Sequence, residues 1–163
     1  MQIKFDTLIQ SFINDQVGVV EGFLSAQLAG DLKQNLLRLF SSQQFHAAGI
    51  GNQVLSDVNA AFRRDQIYWL DKSHNDIFEN QFFELMDQFV AYLNQYCYTG
   101  IRSYEFHYTF YEIGSYYKKH LDQFKNNDSR KFSMILYLND NWQQGDGGEL
   151  CVHHACKPLQ NIA

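Results

Sequence analysis

The residues of this chain best suited to chemistry are His120 and Asp122, which lie two positions apart between two strand-like runs. On an extended segment, side chains two positions apart project to the same side, so the imidazole and the carboxylate can meet at one point. A neutral imidazole and a carboxylate are two of the three ligands in the facial triad that holds non-heme Fe(II). A second His from a distant strand would complete such a site.

The His-x-Asp pattern alone is weak evidence, because His74 and Asp76 repeat it elsewhere in the chain. There, Ser73 has the character of a helix N-cap, and apolar residues follow at helical spacing from Ile77 to Leu93. This context places His74 and Asp76 in the first turn of a helix, where an acidic side chain suits the helix dipole. We therefore interpret the earlier pair as structural and the later pair as the candidate metal site.

Composition narrows the classes of protein and partner. The chain has 163 residues, of which 45% are hydrophobic and 16% aromatic, as expected for one folded domain with a sizeable core. A net charge of −5 without a basic run gives no reason to expect nucleic acid as a partner. No apolar stretch approaches the roughly 20 residues that span a bilayer, so we expect no membrane association. Three cysteines, an odd number, predict no disulfide framework and a cytoplasmic location.

Helical periodicity dominates the first hundred residues. Amphipathic patterns predict helices over residues 3–14, from a cap at Ser25 to Phe40, and over residues 75–96. The residues between these helices predict shorter elements: an edge strand at 19–24, a loop at 45–53 and a strand at 66–70.

From residue 102 onward the period of the pattern falls to two, which is typical of strands. Aromatic and polar residues alternate between 103 and 110, and apolar residues recur at every second position between 132 and 138. Leu150 and Val152 lie in a further short run after the glycine-rich turn at 145–148.

Helices followed by strands predict an α+β fold. We expect N-terminal helices that buttress a double-stranded β-helix, a jelly-roll-like core in which inward-facing strand residues can line a metal site. No linker or repeat divides the chain, so a single domain is predicted over residues 1–163. Within it, residues 1–100 form a helical support region and residues 101–163 form the first part of the β core.

Further residues around the His-x-Asp pair follow a recognisable order: Tyr111, Gly114, Tyr117, His120, Asp122, Arg130, Tyr137-Leu138-Asn139, Trp142 and Gly147 to Leu150. This series resembles the core of the Fe(II)- and 2-oxoglutarate-dependent dioxygenases of the prolyl 4-hydroxylase type, with the nearest likeness to bacterial relatives of the hypoxia-sensing prolyl hydroxylases. The segment from Arg64 to Leu70 also resembles the strand that precedes the long helix in that family. The matching blocks occur in the right order.

The resemblance implies cofactors, a reaction and partners. The cofactors would be Fe(II) and 2-oxoglutarate, and the resemblance also admits ascorbate. The reaction would consume dioxygen and hydroxylate a prolyl residue in a protein or peptide. The protein environment would supply a fixed open coordination site and a dry pocket.

The resemblance also implies roles for individual residues. His120 and Asp122 would be metal ligands, and Tyr137 would donate a hydrogen bond to the distal carboxylate of 2-oxoglutarate. Tyr111 would line the same pocket, and Ile135 would face inward beside Tyr137, because the two are separated by two positions. The remaining candidate, Arg130, would lie at the pocket mouth or near the substrate.

The family pattern also requires a distal His and a basic residue that pairs with 2-oxoglutarate, both on strands later than residue 163. Three explanations stay open: a truncated or incompletely read enzyme, a short non-catalytic binding module, or a third metal ligand from His153 or His154. An incomplete β core would leave unpaired strand edges, which favour self-association.

The run from Cys151 to Cys156 holds four residues that could bind zinc. Its spacing differs from the usual zinc layouts, and on a strand Cys151 and His153 share one face while His154 and Cys156 share the other. We therefore interpret these residues as ordinary strand-end residues.

Overall fold

The computed structural model of the chain describes residues 2–49, 61–122, 130–153 and 160–162. Its helices are α1 (Gln2–Asp15), α2 (Ala26–Ser41) and α3 (Ile77–Cys97), with a short 3-10 turn at Lys72–His74. Its strands are β1 (His46–Ala47), β2 (Gln66–Trp69), β3 (His107–Phe110), β4 (Leu150–Val152) and β5 (Gln160–Ile162). This content of helices and strands agrees with the predicted α+β class.

The three predicted helices are confirmed, and the starts of α2 and α3 have a clear local cause. The hydroxyl of Ser25 accepts a hydrogen bond from the amide of Leu28 at 3.1 Å, which satisfies one of the unpaired amides at the start of α2. The buried side chains of α2 include Leu28, Leu32, Leu36 and Leu39, which lie along one stripe as the periodicity predicted.

The predicted cap of the long helix was wrong. The N-cap of α3 is Asp76, whose carboxylate accepts hydrogen bonds from the amides of Phe78 and Glu79 at 2.9 and 3.0 Å. Ser73 lies instead in the preceding 3-10 turn, and Asn75 separates the two elements in a left-handed conformation, with φ 54°. The carboxylate of Asp76 satisfies two of the unpaired amides of the first turn, and Asn75 interrupts the helical conformation before it, so the helix begins at the aspartate.

Two further predictions between the helices were wrong. Residues 19–24 form no strand: Gly22 adopts a left-handed φ of 61°, and the chain turns so that Phe23 and Leu24 enter the core. The predicted loop at 45–53 contains a short strand, β1, and the part of that prediction beyond Gly49 lies outside the described residues.

Strands β1, β2 and β3 form an antiparallel sheet in that order. Tyr68 pairs with Tyr108, and Trp69 pairs with His107. A separate antiparallel pair joins β4 to β5, with Leu150 opposite Ile162. The helices lie against one face of the three-stranded sheet, so its other face is available to a site.

The core lies between the helices and the sheet. It joins Phe5 of α1, the leucine stripe of α2, Tyr108 of β3 and a run of large side chains from α3: Phe82, Phe83, Leu85, Met86 and Phe89. Aromatic rings make much of this contact, for example Phe82 edge-on to Phe106 at 4.9 Å between ring centroids. The support region therefore holds the sheet through a continuous apolar layer.

Residues 130–139 were predicted to contain a strand, and no strand is assigned there. The period-two pattern nevertheless holds in the packing. Met134, Leu136 and Leu138 lie against the core, while Ile135 and Tyr137 are 55% and 43% exposed. The segment thus has the side-chain alternation of a strand without the assigned ladder, because hydrogen bonding and alternation are separate properties of an extended chain.

No helix in the described part of the chain combines the length and the apolar character needed to cross a lipid bilayer.

Candidate functional site

His120 and Asp122 lie side by side, as their spacing predicted. Nε2 of His120 is 3.1 Å from Oδ1 of Asp122, and the two side chains are 27% and 47% exposed. The pair follows the turn at Gly114, where φ is 80°, and lies between bends of the chain at Lys119 and Asp122. An imidazole and a carboxylate therefore converge on one point that solvent and ligands can reach.

The orientation of the His120 ring is set by the main chain. Nδ1 lies 2.7 Å from the carbonyl oxygen of Lys118, and a carbonyl can only accept, so Nδ1 carries a proton. In the neutral ring, Nε2 then presents its lone pair toward Asp122. Two acceptors that face each other at this distance repel unless a proton or a cation lies between them.

This donor set fits a divalent metal ion. With metal–ligand bonds of about 2.1 Å, two ligands at adjacent octahedral corners lie about 3.0 Å apart, close to the observed separation. A hydrogen bond from the far nitrogen to a main-chain carbonyl is also the usual partner of a metal-binding histidine. The chemistry that this pair can perform is chelation of one cation.

A layer of planar groups lies behind the imidazole. The ring of Tyr117 stacks on that of His120 with 3.6 Å between centroids and 16° between planes. The guanidinium carbon of Arg63 lies 4.1 Å from the centre of the Tyr117 ring. Arg63 forms an ion pair with Asp65, whose side chain is fully buried. Burial alone would lower the pKa of Arg63, but the hydrogen bond and charge of Asp65 outweigh it and raise that pKa above its ordinary value.

Arg130 contacts the segment that carries the pair. Its guanidinium donates to the main-chain carbonyl of Asp122 at 3.0 Å and to the carboxylate of Glu105 at 3.3 Å. Arg130 therefore lies close enough to the candidate metal site to influence it. The predicted contact with a substrate stays a prediction.

Tyr137 and Ile135 share the face that points away from the helical core, as their spacing predicted. The hydroxyl of Tyr137 donates to the carbonyl of Gly148 at 3.0 Å, and partial burial raises the pKa of this phenol. A phenol has one proton to donate, so a hydrogen bond from Tyr137 to a bound carboxylate requires that the Gly148 contact be released.

Tyr111 belongs to the same neighbourhood. Desolvation raises the pKa of Tyr111 to about 12, with further influence from the charges of Asp65 and Arg63 and from the phenols of Tyr117 and Tyr137. Because the pKa values of both phenols are raised, Tyr111 and Tyr137 are neutral at physiological pH. They can therefore donate hydrogen bonds to an anion without charge repulsion.

A second imidazole lies on β3. The ring of His107 meets that of Trp69 edge-on at 4.9 Å, and Nδ1 of His107 lies 2.9 Å from the hydroxyl of Thr109. Burial and the positive charge of Arg63 lower the pKa of His107, which favours a neutral ring. This face of the sheet is therefore polar, in contrast with the aromatic face that meets the helices.

Within residues 2–49, 61–122, 130–153 and 160–162, no group of three His, Cys, Asp or Glu side chains is placed to hold a metal ion. Cys151 is a free, exposed thiol, and His153 is exposed. The alternatives that involve His154 and Cys156 lie outside the described residues.

Comparison with known proteins finds a family likeness over part of the chain. The model of the 2OG-Fe(II) oxygenase superfamily matches residues 106–163, a range that contains His120 and Asp122. This part of the chain is therefore similar to the 2OG-Fe(II) oxygenases. This likeness implies Fe(II) and 2-oxoglutarate as cofactors.

The fold of the chain is similar to a solved structure, the crystal structure of a Pseudomonas putida prolyl-4-hydroxylase. The TM-score is 0.80 at 26% sequence identity, and the match covers 98% of this chain and 81% of that one. A comparison with curated proteins gave no match. The likeness extends over the helical support region as well as the strands, because nearly the whole chain takes part in it.

The layer behind His120 was only partly accessible to sequence reasoning. Tyr117 was named for its place in the family pattern, while Arg63 and Asp65 were given no role. The sequence did contain a signal: Arg63 and Asp65 have opposite charges and lie two positions apart just before a strand, so their side chains project to the same side. The adjacent Arg64 made the choice of partner ambiguous.

Proposed function

We propose that this chain hydroxylates a prolyl residue in a protein or peptide, with dioxygen as co-substrate. The observation that carries the proposal is the His120–Asp122 pair, with 3.1 Å between Nε2 and Oδ1, within the range that is similar to the 2OG-Fe(II) oxygenase superfamily. The prolyl substrate is supported by the likeness to the P. putida prolyl-4-hydroxylase.

In this proposal His120 and Asp122 hold the iron, with Nε2 and Oδ1 as the ligand atoms. Bound Fe(II) would activate dioxygen, so that one oxygen atom enters the C–H bond to give C–OH and the other enters 2-oxoglutarate, which becomes succinate and carbon dioxide. The carbonyl of Lys118 keeps the proton of His120 on Nδ1, so Nε2 stays free to bind.

Other residues bind and orient the organic components. Tyr137 donates to the distal carboxylate of 2-oxoglutarate, while Tyr111 and Ile135 line the pocket around it. Arg130 lies at the pocket mouth, near the substrate. The third metal ligand and a basic partner for 2-oxoglutarate are expected from strands of the family pattern, and ascorbate is an additional cofactor to test.

The architecture that suits this role is a jelly-roll-like double-stranded β-helix. In it, residues 1–163 act as one unit, with 1–100 as support and 101–163 as part of the β core. The apolar layer between α3 and β3 supports this division, because it fixes the sheet to the helices. A cytoplasmic location and self-association through strand edges are further parts of the proposal, and size-exclusion chromatography tests the second.

The experiment is to incubate the purified chain with Fe(II), 2-oxoglutarate and a proline-containing peptide under air. We expect succinate by NMR, a peptide heavier by one oxygen by mass spectrometry, and no such gain when alanine replaces the proline. His120→Ala and Asp122→Ala should each lower succinate formation about a hundredfold or more, because each removes a metal ligand.

The chain supplies its own matched control in its other His-x-Asp pair. His74→Ala removes an imidazole of the same motif outside the candidate site, together with its hydrogen bond to buried Glu79, and should leave succinate formation by the folded protein within about twofold. Succinate formation at the original rate by His120→Ala would refute the proposed metal site. Peptide binding without turnover, unchanged by the substitutions at 120 and 122, would identify the chain as a binding module.

A further inference from the structure

We propose that Arg63, Asp65 and Tyr117 form a positioning stack that holds the His120 imidazole in its metal-binding orientation. The inference rests on the proposed function, since it concerns how the same metal site is built. Its residues come from a segment before β2 and a segment after β3, so tertiary structure alone brings them together.

The stack has three layers, with the Tyr117 ring in the middle. The guanidinium of Arg63 lies 4.1 Å from the centre of the Tyr117 ring, and on the other side the His120 ring lies 3.6 Å away at 16°. Phe62 closes one side, edge-on to Tyr117 with 5.7 Å between ring centroids. The imidazole therefore rests against an extended flat surface that restricts its tilt.

The base of the stack cannot swing, because the Arg63 guanidinium is held at its edges. Nε and one terminal nitrogen donate to the two oxygens of Asp65 at 2.7 and 2.5 Å, and the other terminal nitrogen donates to the carbonyl of Gly49 at 3.2 Å. The Arg63 side chain is 12% exposed and that of Asp65 is 0% exposed. A planar fork bound at its edges leaves only its face for Tyr117.

Main-chain pairing sets the register of the stack. Arg63 and Tyr117 face each other across an antiparallel bridge. The amide of Arg64 donates to the carbonyl of Tyr116 at 2.9 Å, and the amide of Lys118 donates to the carbonyl of Phe62 at 3.0 Å. Tyr117 is therefore fixed opposite Arg63 by hydrogen bonds that do not involve either side chain.

The stack and the main chain restrain the imidazole in different ways. The carbonyl of Lys118 fixes which nitrogen carries the proton, and the Tyr117 ring fixes the plane in which the imidazole lies. Together they direct Nε2 toward Asp122 before any ion binds. Without the ring, the imidazole would sample other rotamers, and metal binding would have to restore the productive one.

The main test replaces Tyr117. Tyr117→Leu removes the flat ring, while Tyr117→Phe keeps the ring and removes only the hydroxyl. A second test, the double variant Arg63→Met with Asp65→Leu, replaces both members of the ion pair, because removing Arg63 alone would leave a buried charge without its partner. The control is Tyr116→Leu, which removes a neighbouring ring that meets the guanidinium of Arg64 at 5.2 Å.

Three measurements separate positioning from plain packing. The first is the dissociation constant for Mn(II) in the presence of saturating 2-oxoglutarate. The second is the thermal midpoint of the metal-free protein, and the third is the 15N NMR spectrum of the His120 ring without metal, which reports its tautomer. Tyr117→Leu should weaken Mn(II) binding about tenfold or more and convert a single Nδ1–H tautomer into a mixture.

In the same measurements, Tyr117→Phe should stay within about threefold of the original affinity, as should Tyr116→Leu. The Mn(II) affinity of the double variant should fall between those of Tyr117→Phe and Tyr117→Leu. Equal Mn(II) affinity and an unchanged tautomer in Tyr117→Leu would overturn the positioning stack, whatever the thermal midpoint does. Mn(II) binding that survives His120→Ala would instead overturn the proposed metal site, so the two failures are distinguishable.

Discussion

The guanidinium of Arg130 donates to the main-chain carbonyl of Asp122 at 3.0 Å, and so joins the segment that carries the candidate ligands to the extended segment that carries Tyr137. A second hydrogen bond, to Glu105 at 3.3 Å, joins both segments to the residues before β3. The side chain of Arg130 thus connects three segments around the site.

Arg130→Met should weaken Mn(II) binding several-fold, because the Asp122 main chain loses a restraint beside the chelate. The free energy of unfolding should change by less than about 1 kcal/mol, since the ion pair with Glu105 is exposed to solvent. Titration calorimetry and urea denaturation measure the two effects, and Lys131→Met is the control for loss of charge. A change confined to the KM for the peptide would show that Arg130 serves only the substrate.

Tyr137→Phe should raise the KM for 2-oxoglutarate about tenfold, equivalent to about 1.4 kcal/mol, because the phenol is the proposed donor to the distal carboxylate. Loss of the hydrogen bond to Gly148 should cost about 1 kcal/mol of folding stability or less, since the side chain is half-buried. Steady-state succinate assays give the KM. The control is Tyr96→Phe on α3, and an unchanged KM in Tyr137→Phe would remove this residue from the binding site.

Buried Glu79 predicts a pH-dependent stability. Burial raises the pKa of Glu79 above its ordinary 4.5, although the hydrogen bond from His74 acts in the opposite direction. The folded state therefore binds the proton more tightly than the unfolded state does. The resulting stabilisation is fully present below about pH 4.5 and is lost as the pH rises through the raised folded-state value.

The variant Glu79→Gln should remove this part of the pH dependence. Urea denaturation between about pH 4 and pH 8 gives the free energies of unfolding of the variant and of the original protein. We expect the difference between them to shift in favour of the variant as the pH rises. The exposed Glu84→Gln on the same helix is the control. Parallel curves for the original protein and Glu79→Gln would contradict the prediction.

Met86 tests the support region. Its side chain is 1% exposed at the centre of the layer between α3 and the sheet, so Met86→Ala leaves a cavity. The free energy of unfolding should fall by about 2–5 kcal/mol in urea denaturation. Gln88→Ala, an exposed substitution two residues further along the helix, should change it by less than about 0.5 kcal/mol.

The three helices were predictable because helical periodicity and capping are local properties. Strand assignments succeeded less well: β2, β3 and β4 were predicted, whereas residues 132–138 show the expected alternation without an assigned ladder. A hydrogen-bonded ladder requires a neighbouring strand, and the pattern of apolar residues in one segment does not show whether such a strand lies within hydrogen-bonding distance.

The sequence by itself determined the meeting of His120 with Asp122, because positions two apart on an extended chain share a side. The same rule places Tyr117 and His120, three apart, on opposite sides. Only the tertiary structure, with its bend at Lys119, stacks their rings. The pairing of Arg63 with Tyr117 and the burial of Asp65 were likewise decided by folding, because both depend on contacts between segments far apart in the chain.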